Sequence, residues 1–298
     1  MNMKRSVALM LTCLLALACV GAASAEDAPR YGFRGDETVE QRVIFDAEGL
    51  KITTTGLMLV RYAPVLSLRV ENASGRTLGF ELTESTLNDW MWDADLCLYE
   101  KAGGGEDDSV EAVSWLSVVD GDALTCGLSY ANEYYYAPCG ITGFGELGFA
   151  LRVFDPDSDE TLFTTPAMDV ATSLGADYPG VYRDIGTLAY DSGDVRVLIV
   201  GLSDEAYGGP RAQIYVSNYS DRPVLVTAER CAVNGTEAEP WFSAVVSDGR
   251  QCLAEMGFDD GIASIDRLAV AFRVEAFAPN AESEPELIGV SETVEVEF

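Results

Sequence analysis

The residues best suited to molecular recognition fall in two short segments. Asp89-Trp90-Met91-Trp92-Asp93 and Asn132-Glu133-Tyr134-Tyr135-Tyr136 set aromatic rings beside carboxylates and an amide. Rings on loops bury a large area at low entropic cost, and hydrogen-bonding neighbours give them direction. That chemistry suits the face of a sugar or a protein docking surface. Trp90, Trp92, Asp93, Asn132, Tyr134, Tyr135 and Tyr136 are therefore the candidate ligand-binding residues, with an extracellular glycan or protein as the partner. The competing reading is that these rings cover the edge of their own domain. Trp115 and Trp241 recur at matching positions of an internal repeat and are expected to be structural.

Enzymatic chemistry has little to draw on. The chain contains no histidine, which removes Ser-His-Asp and Cys-His catalysis, histidine-ligated zinc and the commonest general base. Carboxylate pairs remain open, but among 49 acidic residues any pair could be nominated. A histidine-free carboxylate hydrolase is thus the remote alternative, and the main reading is no enzyme, no cofactor and no metal. Asp155-Pro156-Asp157-Ser158-Asp159-Glu160 has alternating carboxylates but lacks the glycine and spaced terminal Glu of an EF-hand loop. It reads as a solvated hairpin tip. No phosphate-binding loop, nucleophile elbow or paired-cysteine metal motif occurs.

The formal charge is −30. Such a surface repels phosphate backbones, so nucleic acid is not expected as a partner. Lys4 and Arg5, the apolar run from Val7 to Val20 and the small residues Ala23-Ser24-Ala25 form a signal-peptide pattern over 1–25. Its removal takes two bases and no acids, leaving −32. The expected location is secreted or exposed on the cell envelope, with no membrane span after signal removal. A lipid anchor at Cys19 would follow Ala16-Leu17-Ala18, a poor lipobox.

Five collinear blocks reveal a duplication. Phe45-Asp46, Leu50-Lys51-Ile52 and Gly56-Leu57 match Tyr190-Asp191, Val195-Arg196-Val197 and Gly201-Leu202 at an offset of 145. Val70, Asn72, Ser74 and Arg76 match Val216, Asn218, Ser220 and Arg222 at 146, as does Leu87-Asn88 with Val233-Asn234. Trp115 and Cys126 match Trp241 and Cys252 at 126, and Gly140-Ile141, Leu147 and Arg152-Val153 match Gly261-Ile262, Leu268 and Arg273-Val274 at 121. The first copy therefore gains 20 residues between Asn88 and Trp115 and 5 between Cys126 and Gly140. Both recognition segments lie in these gains.

The elements that must carry the segments read as strands. Leu66–Val70 and Gln213–Ser217 alternate apolar and polar residues, as half-buried strands do. Asn72-Ala73-Ser74 and Asn218-Tyr219-Ser220 are turn chemistry, although both also fit the N-glycosylation pattern. About seven strands per copy, with no long helical stripe, predict an all-β chain. Two tandem immunoglobulin-like antiparallel β-sandwiches follow the signal peptide. The first spans 40–173, with insertions near 89–114 and 131–139, the second spans 185–298, and 174–184 is a linker.

The repeated strand, Asn-x-Ser turn, strand pattern and Arg152-Val-Phe-Asp-Pro-Asp-Ser resemble a family. It is that of the tandem immunoglobulin-like domains of uncharacterised exported proteins and lipoproteins from Gram-positive bacteria. The resemblance implies fold and export but supplies no catalytic residues. Among the cysteines outside 1–25, Cys231 and Cys252 are the only two in the second copy, and a disulfide between them is expected. Pairing among Cys97, Cys126 and Cys139 stays open.

Overall fold

The computed structural model describes residues 30–100, 108–175, 178, 185–203, 209–258, 262–277 and 285–298. The expected signal peptide with Cys13 and Cys19, residues 103–107 of the glycine-rich tip, Asp259-Asp260 and most of the expected linker lie outside these. One compact unit, 32–298, holds every element below; of the other, 1–31, only Arg30 and Tyr31 are described.

The first repeat runs β1 (Arg42–Ala47), β2 (Leu50–Val60), β3 (Ala63–Asn72), β4 (Leu78–Leu87), β5 (Trp90–Met91), β6 (Asp95–Glu100), β7 (Ser109–Ala112), β8 (Leu116–Val118), β9 (Ala123–Ser129), a one-turn helix α1 (Glu133–Tyr136), β10 (Glu146–Phe154), β11 (Thr161–Thr164) and β12 (Met168–Ala171). The second runs β13 (Thr187–Asp191), β14 (Val195–Ser203), β15 (Arg211–Asn218), β16 (Val224–Val233), β17 (Thr236–Glu237), β18 (Pro240–Trp241), β19 (Ser243–Val246), β20 (Gln251–Phe258), β21 (Arg267–Ala276), β22 (Leu287–Val290) and β23 (Val294–Glu297).

In the first repeat one sheet has the order β1-β2-β3-β9-β6-β7, and β4 pairs with β10, β5 and β8 in another. In the second, β13-β14-β15-β20 stands opposite β16 and β21 with their flanking strands. Orders β2-β3-β9-β6 and β4-β10-β11 correspond to the ABED and CFG sheets of an immunoglobulin-like sandwich, and β14-β15-β20-β18 with β16-β21-β22 repeats them. The fold is all-β. The insertion expected as loops near 89–114 supplies strands β5, β6 and β7 instead.

The repeat extends to backbone irregularities. A bulge leaves one extra residue at Ile44 and Ala189, at Thr55 and Val200, at Thr83 and Glu229, and at Leu162 and Ile288. Bulges bend a strand and raise its twist, so matching positions give the two sandwiches matching curvature. The closing segments 161–171 and 287–297 are each two short strands, β11–β12 and β22–β23, rather than one. Thr165 and Ser291 mark the breaks, and their hydroxyls accept the N–H of Leu151 and Phe272, respectively. The side chain replaces the ladder bond that the break removes.

Asn72 and Asn218 close the sandwiches. The Asn72 amide donates to the carbonyls of Arg76 (2.7 Å) and Val118 (2.8 Å), and its oxygen accepts from the N–H and hydroxyl of Ser74. Asn218 donates to Arg222 (2.8 Å) and Val246 (3.0 Å) and accepts from Ser220 in the same way. Both side chains are buried. The Asn-x-Ser pattern is therefore a structural clamp with its amide nitrogen already committed.

The two repeats share a sheet. Trp90 of β5 pairs in parallel with Gln251 of β20, and the Gln251 N–H donates to the Asp89 carbonyl at 3.0 Å. Alternation along β15 predicted one solvated face, but Tyr215 and Ser217 are buried. The reason is that Leu198, Tyr215 and Leu253 pack into the core of the first repeat, with Trp90 and Tyr215 ring centroids 5.8 Å apart. Arg250 seals the margin, reaching Asp89 (2.8 Å), Asp169 (3.0 Å) and Glu146 (3.8 Å) of the first repeat. The Asn88-Asp89 turn holds both residues at positive φ, 50° and 70°, where the second repeat has Asn234 and Gly235. A non-glycine residue in that region is uncommon, and the pairing with Arg250 gives Asp89 its compensation.

Replacing Asn72 by Leu removes four hydrogen bonds and replacing Asn218 removes five, and each takes the side-chain donor from a buried valine carbonyl, Val118 or Val246. Each substitution is expected to lower stability by about 2–4 kcal/mol, read as a reduced urea midpoint.

Candidate functional site

The tyrosine run divides by geometry. Successive helical residues project about 100° apart, so three tyrosines on one turn cannot share a face. Tyr136 points inward and stacks on Trp92, with centroids 5.4 Å apart and planes 7° from parallel. Its hydroxyl donates to the Tyr130 carbonyl at 2.6 Å. Tyr134 is 65% exposed. Tyr135 is half-buried and turns sideways into a cleft. Burial first, then the Glu255 carboxylate, raises its phenol pKa.

That cleft, of about 460 Å³, lies between the repeats. Trp92, Asp93, Asn132 and Tyr135 of the first repeat form one wall; Val245 of β19 and Leu253 of β20 stand on the other. Four of the seven candidate residues, drawn from two insertions 40 residues apart, thus meet in one cavity. The Trp92 indole N–H is buried with no hydrogen-bond partner among the described residues, which is rare for a buried donor.

Trp90 and Tyr136 are corrected to core residues. Trp90 is 2% exposed against Tyr215, and Tyr136 lies beneath Trp92, so neither offers a surface to a ligand. Trp115 and Trp241, expected to be structural, are 45% and 64% exposed. Trp115 rests edge-on against Phe154, and Trp241 lies on β18 opposite Gly257. Repetition in both copies reflected a shared surface position rather than a shared core.

Two further cavities adjoin the cleft. On the far side of Trp92 and Asp93, one of about 300 Å³ is bordered by Glu84 and Asp95. Burial, then the nearby Asp93, holds the Asp95 carboxyl above its ordinary value. On the far side of Asn132, one of about 370 Å³ is bordered by Tyr62 and Tyr134, with Arg61 and Glu133. Tyr62 and its ring were not singled out in the sequence, because a tyrosine in Val60-Arg61-Tyr62-Ala63 carries no motif. The cluster of Asp89, Glu146 and Asp169 lines none of these cavities and is closed over Arg250. In the 155–160 tip, the Asp155 carboxylate accepts the N–H groups of Asp157 and Ser158, and Asp159 pairs with Arg152, so these acids serve the turn.

The disulfide expected between Cys231 and Cys252 is not formed; all five described cysteines are free thiols. Cys231 sits on β16, whose neighbours are β17, β19 and β21, while Cys252 sits on β20 in the opposite sheet. They are not on adjacent strands, and Cys252 borders the cleft together with Cys139. Burial pushes the thiols of Cys97, Cys126 and Cys252 up to about 12 and that of Cys231 to about 11. They are protonated and poorly nucleophilic at neutral pH.

No family model matches the sequence, and no curated protein matches it. Solved structures that align include the Salmonella enterica SafA pilin in complex with the SafB chaperone, at 8% identity over 85% of this chain and 98% of that one, with a TM-score of 0.23. The YadV chaperone aligns at 12% identity over 78% and 92%, TM-score 0.23. A protein of unknown function from Porphyromonas gingivalis W83 aligns at 15% over 84% and 100%, TM-score 0.24. At these TM-scores the likeness carries no argument, and the fold assignment rests on strand order and register.

The placement of the rings separates their roles in stability. Trp90→Ala is expected to cost about 3–5 kcal/mol, whereas Tyr134→Ala should stay within about 0.5 kcal/mol. Urea unfolding of the two variants checks both values.

Proposed function

We propose that the chain is a non-enzymatic recognition module that holds a glycan in the cleft between its repeats. The observation that carries this reading is the convergence of Trp92, Asp93, Asn132 and Tyr135 on one cavity. A cavity of about 460 Å³ is within the range of small-ligand sites. Its rings supply apolar faces, and its carboxylate, amide and phenol supply the few placed polar groups that set orientation. The acidic surface disfavours anionic partners. Export belongs to the same proposal, supported by the N-terminal pattern over 1–25, and makes a glycan of the cell exterior the accessible ligand.

A second reading has one observation behind it. Asp95, held above its ordinary value beside Asp93 and Glu84, is where a carboxylate hydrolase would place its acid.

The test is a glycan array and calorimetry with the chain lacking residues 1–25, beside Asn132→Ala and Asp93→Ala, neither of which removes a core ring. Wild-type binding that weakens about tenfold or more in each folded variant is the expected outcome. Equal binding by the variants sinks the cleft as the binding site, and no glycan bound at all sinks the proposal and leaves a purely structural envelope protein. Release of new reducing ends from a bound glycan, abolished by Asp95→Asn, would replace it with hydrolysis.

A further inference from the structure

We infer that the ligand is an extended neutral oligosaccharide that leaves the cleft, crosses the turn at Asn132 and stacks on Tyr62 and Tyr134. The inference rests on the glycan reading above and adds a second subsite to it.

The two cavities are arranged for one continuous occupant. Asn132 lines both of them, so the cleft and the Tyr62–Tyr134 cavity meet at that residue. Tyr135 and Tyr134, neighbours on the one-turn helix, border the first and the second cavity, respectively, so a ligand extended past Asn132 meets the second cavity.

The second cavity is built by two unrelated elements that each push a tyrosine outward. Tyr62 stands at the tip of the β2–β3 hairpin, where Val60 pairs with Ala63 and Arg61 takes a left-handed φ of 58°. That tight turn projects its ring into solvent at 82% exposure. Tyr134 comes from α1 at 65%. Exposed rings of this size at one cavity are a stacking platform without an occupant among the described residues. Tyrosine suits a sugar, since its ring covers the apolar face while its hydroxyl remains in water.

Charge narrows the class. Asp93 lines the cleft and Glu133 the second cavity, so an acidic glycan would meet a carboxylate at both ends of its path, with Arg61 the one cation bordering it in the second cavity. A neutral sugar meets no such penalty. N-acetylglucosamine oligomers, uncharged and of defined length, are the probe.

Calorimetry with the disaccharide and the hexasaccharide of N-acetylglucosamine tests the inference. The hexasaccharide should bind the wild-type chain about tenfold or more tighter than the disaccharide. Tyr62→Ala, and separately Tyr134→Ala, should pull that ratio toward one, in variants whose urea midpoints match the wild type. A wild-type chain that binds both lengths equally, or variants that keep the full ratio, overturns the second subsite while leaving the cleft reading intact. A chain that binds neither oligomer but binds another array glycan overturns the assignment to this sugar class. Failure on every glycan removes the cleft reading itself, and the second subsite with it.

Discussion

Tyr215 faces away from the core of its own repeat. In an antiparallel strand, residues alternate between two faces, and a strand of a two-sheet sandwich ordinarily gives one of them to water. Here the outer face of β15 meets Trp90, with Leu198 and Leu253 on either side. Placing a tyrosine there, and Leu253 opposite it on β20, commits the second repeat to one position against the first. The cleft exists because of that commitment. Its walls come from different repeats and would have no fixed separation without the packed strip, the β5–β20 bridge and Arg250.

The two copies divide their labour by what they keep and what they change. Kept features hold backbone: the Asn72 and Asn218 clamps, the four bulges and the hydroxyls of Thr165 and Ser291. Each answers a local geometric demand that any sequence of this topology must meet. Changed features make the junction. Where the second repeat turns through Asn234-Gly235, the first uses Asn88-Asp89 and holds a carboxylate at strained φ to reach Arg250. Where the second has a two-residue strand at β17, the first continues into Trp90 and the β6–β7 hairpin.

This division explains what the sequence disclosed. Strand alternation, turn asparagines and a fixed offset are local signals, so the all-β fold and the duplication were legible from residues such as Val70-Glu71-Asn72 and Val216-Ser217-Asn218. The gains in the first copy marked where the cleft would be, and Trp92, Asp93, Asn132 and Tyr135 were within reach of that reasoning. The direction of each ring was not. A run of three tyrosines carries no sign of which falls on the inward side of a single helical turn. Trp90 also looked like a loop residue, because its partner Tyr215 lies more than a hundred residues away in a strand whose alternation appears complete without it. Trp115 and Trp241 recur in both copies, which speaks for a shared position and says nothing about its exposure.

The shared sheet has a consequence for how such a chain could be taken apart. Repeats joined as separate beads can be cut at the linker and studied singly, each keeping a wetted surface. A fragment beginning at Ile185 would carry Leu198, Tyr215 and Leu253 into water as a contiguous apolar strip, beside a β20 edge stripped of its β5 neighbour. Exposed strips next to open strand edges promote self-association. Excision would therefore turn the second half from a partner of the first into a partner of itself.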